Sequence, residues 1–125
     1  MNEWNAVLYD SKHAFVTEYG KGLLEFVPEN KNQSILDLGC GTGTLTAQLK
    51  NLAETVIGID SSDGMIKRAQ AQYADIKFMV CDALALPFEN RFDVVFSNAV
   101  FHWIADHNAL LKNVYRALKP NGILV

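Results

Sequence analysis

The chain has 125 residues, one domain's length, with 11 basic and 14 acidic side chains for a formal charge of −3, and half its residues are apolar. That composition supports a sizeable core and excludes a disordered tail protein. No apolar run approaches the ~18 residues of a membrane helix, and a weakly acidic chain without a basic block offers nucleic acid no electrostatic footprint.

The opening Met1-Asn2-Glu3-Trp4 has neither a basic leader nor a hydrophobic signal segment, and Cys40 and Cys81 are too few for a disulfide scaffold. A reducing, cytoplasmic setting is the expectation. Together with His13, His102 and His107, the two thiols give no zinc spacing, so no metal is expected.

In chain order, Phe15, Tyr19, Leu23 and Phe26 or Val27 recur at helical spacing, weakened by Gly20 and Gly22 and limited by Pro28. Ile35 to Leu38 predicts a short strand that Gly39 ends. Leu45, Leu49 and Leu52 predict a helix, and Val56 to Ile59 a second strand. Ser61 or Ser62 caps a helix with Met65, Ile66, Ala69 and Tyr73 on its apolar side. Ile76 to Val80 is a third strand, Asp82 to Arg91 a connection, and Phe92 to Phe96 a fourth strand. Asp106 caps a helix with Leu110, Leu111, Val114 and Leu118 inside. Pro120-Asn121-Gly122 ends that helix and leads into a fifth strand at the very end of the chain. A strand that has only begun predicts a fragment of a longer protein. Short strands alternating with helices predict βαβ units and an α/β fold with a parallel sheet.

The turn Asp37-Leu38-Gly39-Cys40-Gly41-Thr42-Gly43 joins the first strand to a helix. Glycine permits tight backbone geometry and close ligand approach, and N–H groups at a helix start favour negative or polar ligand groups. Ligand binding and a purely structural turn both fit these residues. The dinucleotide fingerprint G-x-G-x-x-G would need glycine where Thr44 stands, so a nicotinamide oxidoreductase is the weaker enzymatic alternative. Asp60 ends the second strand roughly twenty residues beyond Gly39, where a carboxylate accepts hydrogen bonds from both hydroxyls of a ribose. A helix cap is its bland alternative. Asp82-Ala83 ends the third strand, where the carboxylate meets an adenine amine on an apolar shelf of Ile59, Met65 or Leu84, or else caps the next loop. The three positions lie at consecutive strand ends, which says more than any one of them.

With these motifs in place, the sequence resembles the class I S-adenosylmethionine-dependent methyltransferases, and within them the small-molecule branch of carboxyl O-methyltransferases acting on malonyl or trans-aconitate groups. Ile35–Gly43 resembles the family's cofactor turn, Val56–Ser62 its second motif and Cys81-Asp82-Ala83 its third. Phe92–Asn98 followed by Phe101-His102-Trp103 resembles the fourth strand and its exit, and Leu118–Gly122 the turn into the fifth.

The resemblance implies a Rossmann-like doubly wound parallel sheet, the first five of seven strands, in order 3-2-1-4-5. It implies S-adenosyl-L-methionine as cofactor and S-adenosyl-L-homocysteine as product. Gly39, Gly41 and Gly43 would surround the methionine portion, Asp60 and Ser61 the ribose, and Asp82 with Ala83 the adenine. Asp37 would orient the turn and reach the methionine amine through water, with Ser97 and Asn98 beside the amino-acid part. Residues 1–33 would form a helical segment closing over the cofactor, with Tyr9 favoured over His13, and residues 34–125 the partial core. The alternative for Trp4, Tyr9 and Phe15 is plain packing of a terminal helix.

The expected reaction is transfer of a methyl group to a small-molecule acceptor, with a carboxylate as the candidate class. The activated sulfonium methyl asks the protein mainly to align a nucleophile behind it, and an ionised carboxylate acceptor needs no base. His102 is the one acid–base candidate, with pocket wall or positioning as its alternatives. Cys40 is expected to pack rather than react, and Lys112, Arg116 and Lys119 to decorate a solvated helix and its C-terminus. Two further expectations are no membrane partner and self-association through the open edge of the fifth strand. A cofactor-binding fragment without activity of its own is the non-enzyme alternative.

Overall fold

The computed structural model describes residues 22–98 and 105–125. Five strands, β1 (Ser34–Leu38), β2 (Thr55–Asp60), β3 (Lys77–Val80), β4 (Phe92–Ser97) and β5 (Leu118–Leu124), form one parallel sheet. Their spatial order is β3-β2-β1-β4-β5, as expected. The helices are α1 (Thr44–Leu49), α2 (Asp63–Gln72) and α3 (His107–Ala117).

The strands' apolar runs are explained by cover on both faces. Ile35, Val56, Val94 and Phe96 pack with Leu45 and Leu49 of α1, while the alternate residues Leu36, Leu38, Ile57, Ile59 and Val95 pack with Leu110, Val114 and Ala117 of α3. Successive strand side chains point to opposite faces, so one period-two pattern feeds both halves of the core. Cys40, Ile66, Ala69 and Phe78 form a third cluster under α2.

The approach of α1 and α2 to the sheet depends on two missing side chains. Gly43, at φ +89°, and Gly58 both lie against the Phe78 ring. A Cβ at Gly43 would stand 2.8 Å from Phe78 Cζ, and one at Gly58 2.7 Å from Phe78 Cδ1. Gly43 thus supplies the close helix packing that the third glycine of a dinucleotide turn supplies one position later.

Local signals set the helix starts. Ser62, not Ser61, caps α2 by accepting from Met65 N–H at 3.3 Å, and Asp106 caps α3 by accepting from Ala109 N–H at 3.0 Å. One open alternative is settled and three details depart from expectation. Val27 is buried and Phe26 exposed, because a 3-10 turn at Leu24–Phe26 breaks the helical spacing before Pro28. Leu111 is exposed, since the inward stripe of α3 runs Leu110, Val114, Ala117. Leu52 falls in a 3-10 turn that continues α1. β5 begins at Leu118 rather than Gly122: Phe92 registers with Leu118 and Val94 with Ile123, so the intervening Lys119–Gly122 bulges outward, with Asn121 at φ +69°. An edge strand tolerates Pro120 there.

Candidate functional site

Parallel strands place all their C-terminal ends on one edge of the sheet, and the sequence-predicted residues gather there. Asp37 precedes the end of β1, Asp60 closes β2, Asp82 and Ala83 follow β3, and Ser97 closes β4 with Asn98 directly after it. The register sets Leu38 beside both Ile59 and Ser97, and Asp60 beside Val80.

After β1 the chain makes a tight turn in which Gly39, Gly41 and Gly43 all take positive φ, at +76°, +57° and +89°. L side chains rarely adopt such angles, which explains the residue type at these positions. The turn is tied to β2 at several points. Gly39 and Cys40 N–H both donate to Ile59 C=O, at 2.9 and 2.8 Å, and Gly41 N–H donates to Asp60 Oδ2 at 3.0 Å. Asp60 Oδ1 accepts from Ser62 N–H at 2.8 Å. One carboxylate therefore braces both the glycine turn and the approach to α2. Each of its oxygens keeps a second lone-pair direction with which to accept from a ligand hydroxyl. Ser61 is exposed beside it.

Asp37 lies beneath the turn, 3 % exposed, and Thr46 Oγ1, fully buried on α1, donates to its Oδ2 at 2.6 Å. Burial, opposed by the Thr46 bond and reinforced by the Asp60 charge, pushes the Asp37 carboxyl up to about 7. Cys40 is buried, and desolvation with the nearby Asp37 and Asp60 charges pushes its thiol far above the ordinary range, so it packs and does not act as a nucleophile.

At the third strand end, Asp82 Oδ1 accepts from Leu84 N–H at 2.8 Å and caps the 3-10 turn Ala83–Ala85. The bland role is thus present, and the carboxylate remains exposed to solvent. The apolar surface beside it is Val80 and Leu84, both exposed, whereas Ile59 and Met65 are sealed in the core and offer no shelf. At the fourth strand end the Ser97 hydroxyl oxygen is buried with no hydrogen-bond partner among the described residues. An orphaned polar atom there, beside a glycine cradle, suits a polar ligand.

Tyr9 and His13, with Trp4 and Phe15, and likewise Phe101, His102 and Trp103, lie outside the described residues. His107 is exposed on α3. Arg116 does more than decorate its helix: its Nη2 donates to Leu86 C=O at 2.7 Å, fastening α3 to the connection before β4. Among the described residues no group of His, Cys, Asp and Glu could hold a metal ion, and no helix is long and apolar enough to cross a membrane. Sequence reasoning missed Thr46, whose partner is nine positions away and visible only once α1 folds back on β1, and Val80, which reads as core until β3 proves to be an edge strand of the sheet among the described residues.

A family model described as a methyltransferase domain matches residues 36–125. Trans-aconitate 2-methyltransferase of Deinococcus radiodurans is 36 % identical over 124 residues, covering 97 % of this chain and 47 % of that protein. The protein of the same name from Methylobacterium radiotolerans is 34 % identical over 126 residues, covering 99 % and 48 %. Among solved structures, an S-adenosylmethionine-dependent methyltransferase from Mesorhizobium loti superposes with a TM-score of 0.77 at 31 % identity, over 83 % of this chain and 50 % of that one. The chain spans about half the length of the relatives it matches.

Proposed function

The chain belongs to the methyltransferase-domain family, and from that membership we propose that the protein is an S-adenosylmethionine-dependent methyltransferase acting on a small-molecule acceptor, with a carboxylate as the preferred class. The observation that carries the reading is the 3.0 Å bond from Gly41 N–H to Asp60 Oδ2, which fuses the glycine turn and the second strand end into one rigid cradle. The names of the two trans-aconitate relatives favour the carboxylate acceptor.

The residues fit the cofactor. The left-handed turn of Gly39, Gly41 and Gly43 turns its backbone around the amino-acid tail, with Asp37 below and Ser97 and Asn98 alongside. Asp60 and the adjoining Ser61 take the ribose, and Asp82 with Ala83 takes the adenine over exposed Val80 and Leu84. When bound, S-adenosylmethionine supplies an electrophilic methyl group on a sulfonium centre. The protein's part is alignment: Asp37 and Asp60 place two carboxylates at a site whose ligand is cationic, and the fixed turn holds that ligand in one pose. Residues 34–125 form the binding core, and residues 1–33, with Tyr9, cover it. His102, following β4, orients the acceptor or moves its proton.

We assign the protein to the cytoplasm from its reducing cysteine usage. The 125-residue chain also self-associates through the outer edge of β5. The support is apolar surface beside that edge: Leu111, Tyr115 and Leu124 are exposed around a groove of about 620 Å³ between α3 and β5. Light scattering of the chain against a Tyr115→Glu variant reads this directly, with the variant monomeric; an unchanged monomer in both rejects it.

Titration calorimetry with S-adenosylmethionine, S-adenosylhomocysteine and NAD tests the functional reading. Binding of the first two and not NAD is expected. NAD binding alone would favour an oxidoreductase. Cofactor binding without methyl transfer over a broad acceptor panel, even in a full-length protein, would favour a silent binding module.

A further inference from the structure

Asp37 is an unusual residue to bury. It sits in the middle strand of the sheet, registered with Gly58 on one side and Phe96 on the other, and is 3 % exposed. Among the described residues no Lys, Arg or His forms an ion pair with it. Its side-chain partner is the hydroxyl of Thr46, itself fully buried, at 2.6 Å. Among the described residues the charged and titratable groups facing it are the Asp60 carboxylate from the end of β2 and the Cys40 thiol from the turn. The sequence of α1 contains no titratable residue, and the acidic residue of β4, Asp93, is at the opposite end of that strand, where it accepts from Ser34 N–H. A buried carboxyl opposed by a second carboxylate, with no cation beside it among the described residues, is arranged for a cation that arrives with the ligand.

We propose that Thr46 is a positioning residue for the cofactor: its hydroxyl holds the Asp37 carboxyl beneath the glycine turn in the ionised form that receives the ligand's ammonium group. The inference rests on the cofactor reading above. A hydroxyl facing a carboxyl oxygen can donate to the charged form at full strength, so this one bond favours ionisation against both burial and Asp60. The carboxyl stands at about 7 in the free chain. Near neutral pH, binding an ammonium therefore releases a proton from Asp37, and the apparent affinity scales with the fraction of the site already ionised. Thr46 sets that fraction without touching the ligand.

The test is calorimetry of the 125-residue chain with S-adenosylhomocysteine, which retains the ammonium group, at pH 7 and pH 8.5. It uses two buffers of different ionisation enthalpy, so that proton release is counted separately. The wild type releases a substantial fraction of a proton at pH 7 and little at pH 8.5. Thr46→Val binds about tenfold more weakly at pH 7, the loss of one charge-assisted hydrogen bond, and differs by less than about twofold at pH 8.5, where Asp37 is ionised in both chains. Thr46→Ser restores the wild-type values, and Asp37→Asn abolishes the proton release.

A Thr46→Val penalty of the same size at both pH values marks a merely structural role and overturns the proposal, as does unchanged affinity throughout. If Thr46→Val does not fold, carbon-13 titration of the Asp37 carboxyl decides. Thr46→Ser must titrate with the wild type and Thr46→Ala higher; equal titration in all three overturns it. Wild-type chain that binds no S-adenosylhomocysteine removes the cofactor reading and this inference together, whereas normal binding without proton release removes the inference alone.

Discussion

Asp37→Asn is expected to strengthen the fold while weakening the site. The native carboxyl holds its proton up to about pH 7, against 3.8 in an unfolded chain. Between those values the folded state binds more protons than the unfolded state, so stability falls as pH rises through that window and levels off above it. The gap corresponds to about 4 kcal/mol at most between the two ionisation states, and relaxation around a buried group reduces it to on the order of 2–4 kcal/mol. Asparagine keeps a carbonyl oxygen to accept from Thr46, so the neutral variant avoids this cost without orphaning the hydroxyl. Set against a typical domain stability of about 5–15 kcal/mol, the gain is large. In urea it moves the unfolding midpoint of the chain up by about 1–2 M at pH 8, and by little at pH 3.5 to 4. A midpoint shift that is the same at both pH values, or a loss of stability at pH 8, would refute the burial argument. Affinity for S-adenosylhomocysteine moves the other way and drops.

Asp60→Asn places an amide NH₂ against one of two backbone donors, Gly41 N–H or Ser62 N–H. It should cost about 1–3 kcal/mol in chemical unfolding as well as cofactor affinity; loss of affinity with unchanged stability would mean the brace is dispensable. Gly43→Ala combines a φ of +89° with a Cβ 2.8 Å from Phe78 Cζ, and should destabilise by about 2–4 kcal/mol, partly rescued by Phe78→Leu. Absence of any rescue would show that backbone strain, not the ring, sets the cost. His102→Ala in a full-length protein should lower turnover more than cofactor affinity, and matched turnover would reject a role in acceptor chemistry.

The sheet was legible because its strands are short apolar runs between helical spacings, and because burial on both faces leaves no polar alternation to blur them. β5 was misplaced because Pro120-Asn121-Gly122 reads as a turn, whereas pairing with β4 absorbs it as a bulge. Leu111 was misassigned for a different reason: two adjacent leucines cannot both face the sheet, and only packing selects Leu110. At the site, the types and spacing of the glycines and acidic residues marked the strand tips. What spacing could not express is that the same groups hold one another. Asp60 supports Gly41, Asp82 caps its own loop, and Thr46 reaches Asp37 only through the tertiary return of α1. A carboxylate that holds its own turn keeps capacity for a ligand, because each oxygen has two directions in which to accept.

The central claim is that three neighbouring strand tips grip one nucleoside cofactor. Backbone amide shifts recorded while S-adenosylhomocysteine is titrated into the chain test it most directly. The largest changes should fall on Gly39–Gly43, Asp60–Ser62 and Asp82–Leu84 together, saturating at one equivalent. Shifts confined to the α3–β5 groove, or saturation that leaves the Asp60 and Asp82 strand tips unmoved, would contradict it.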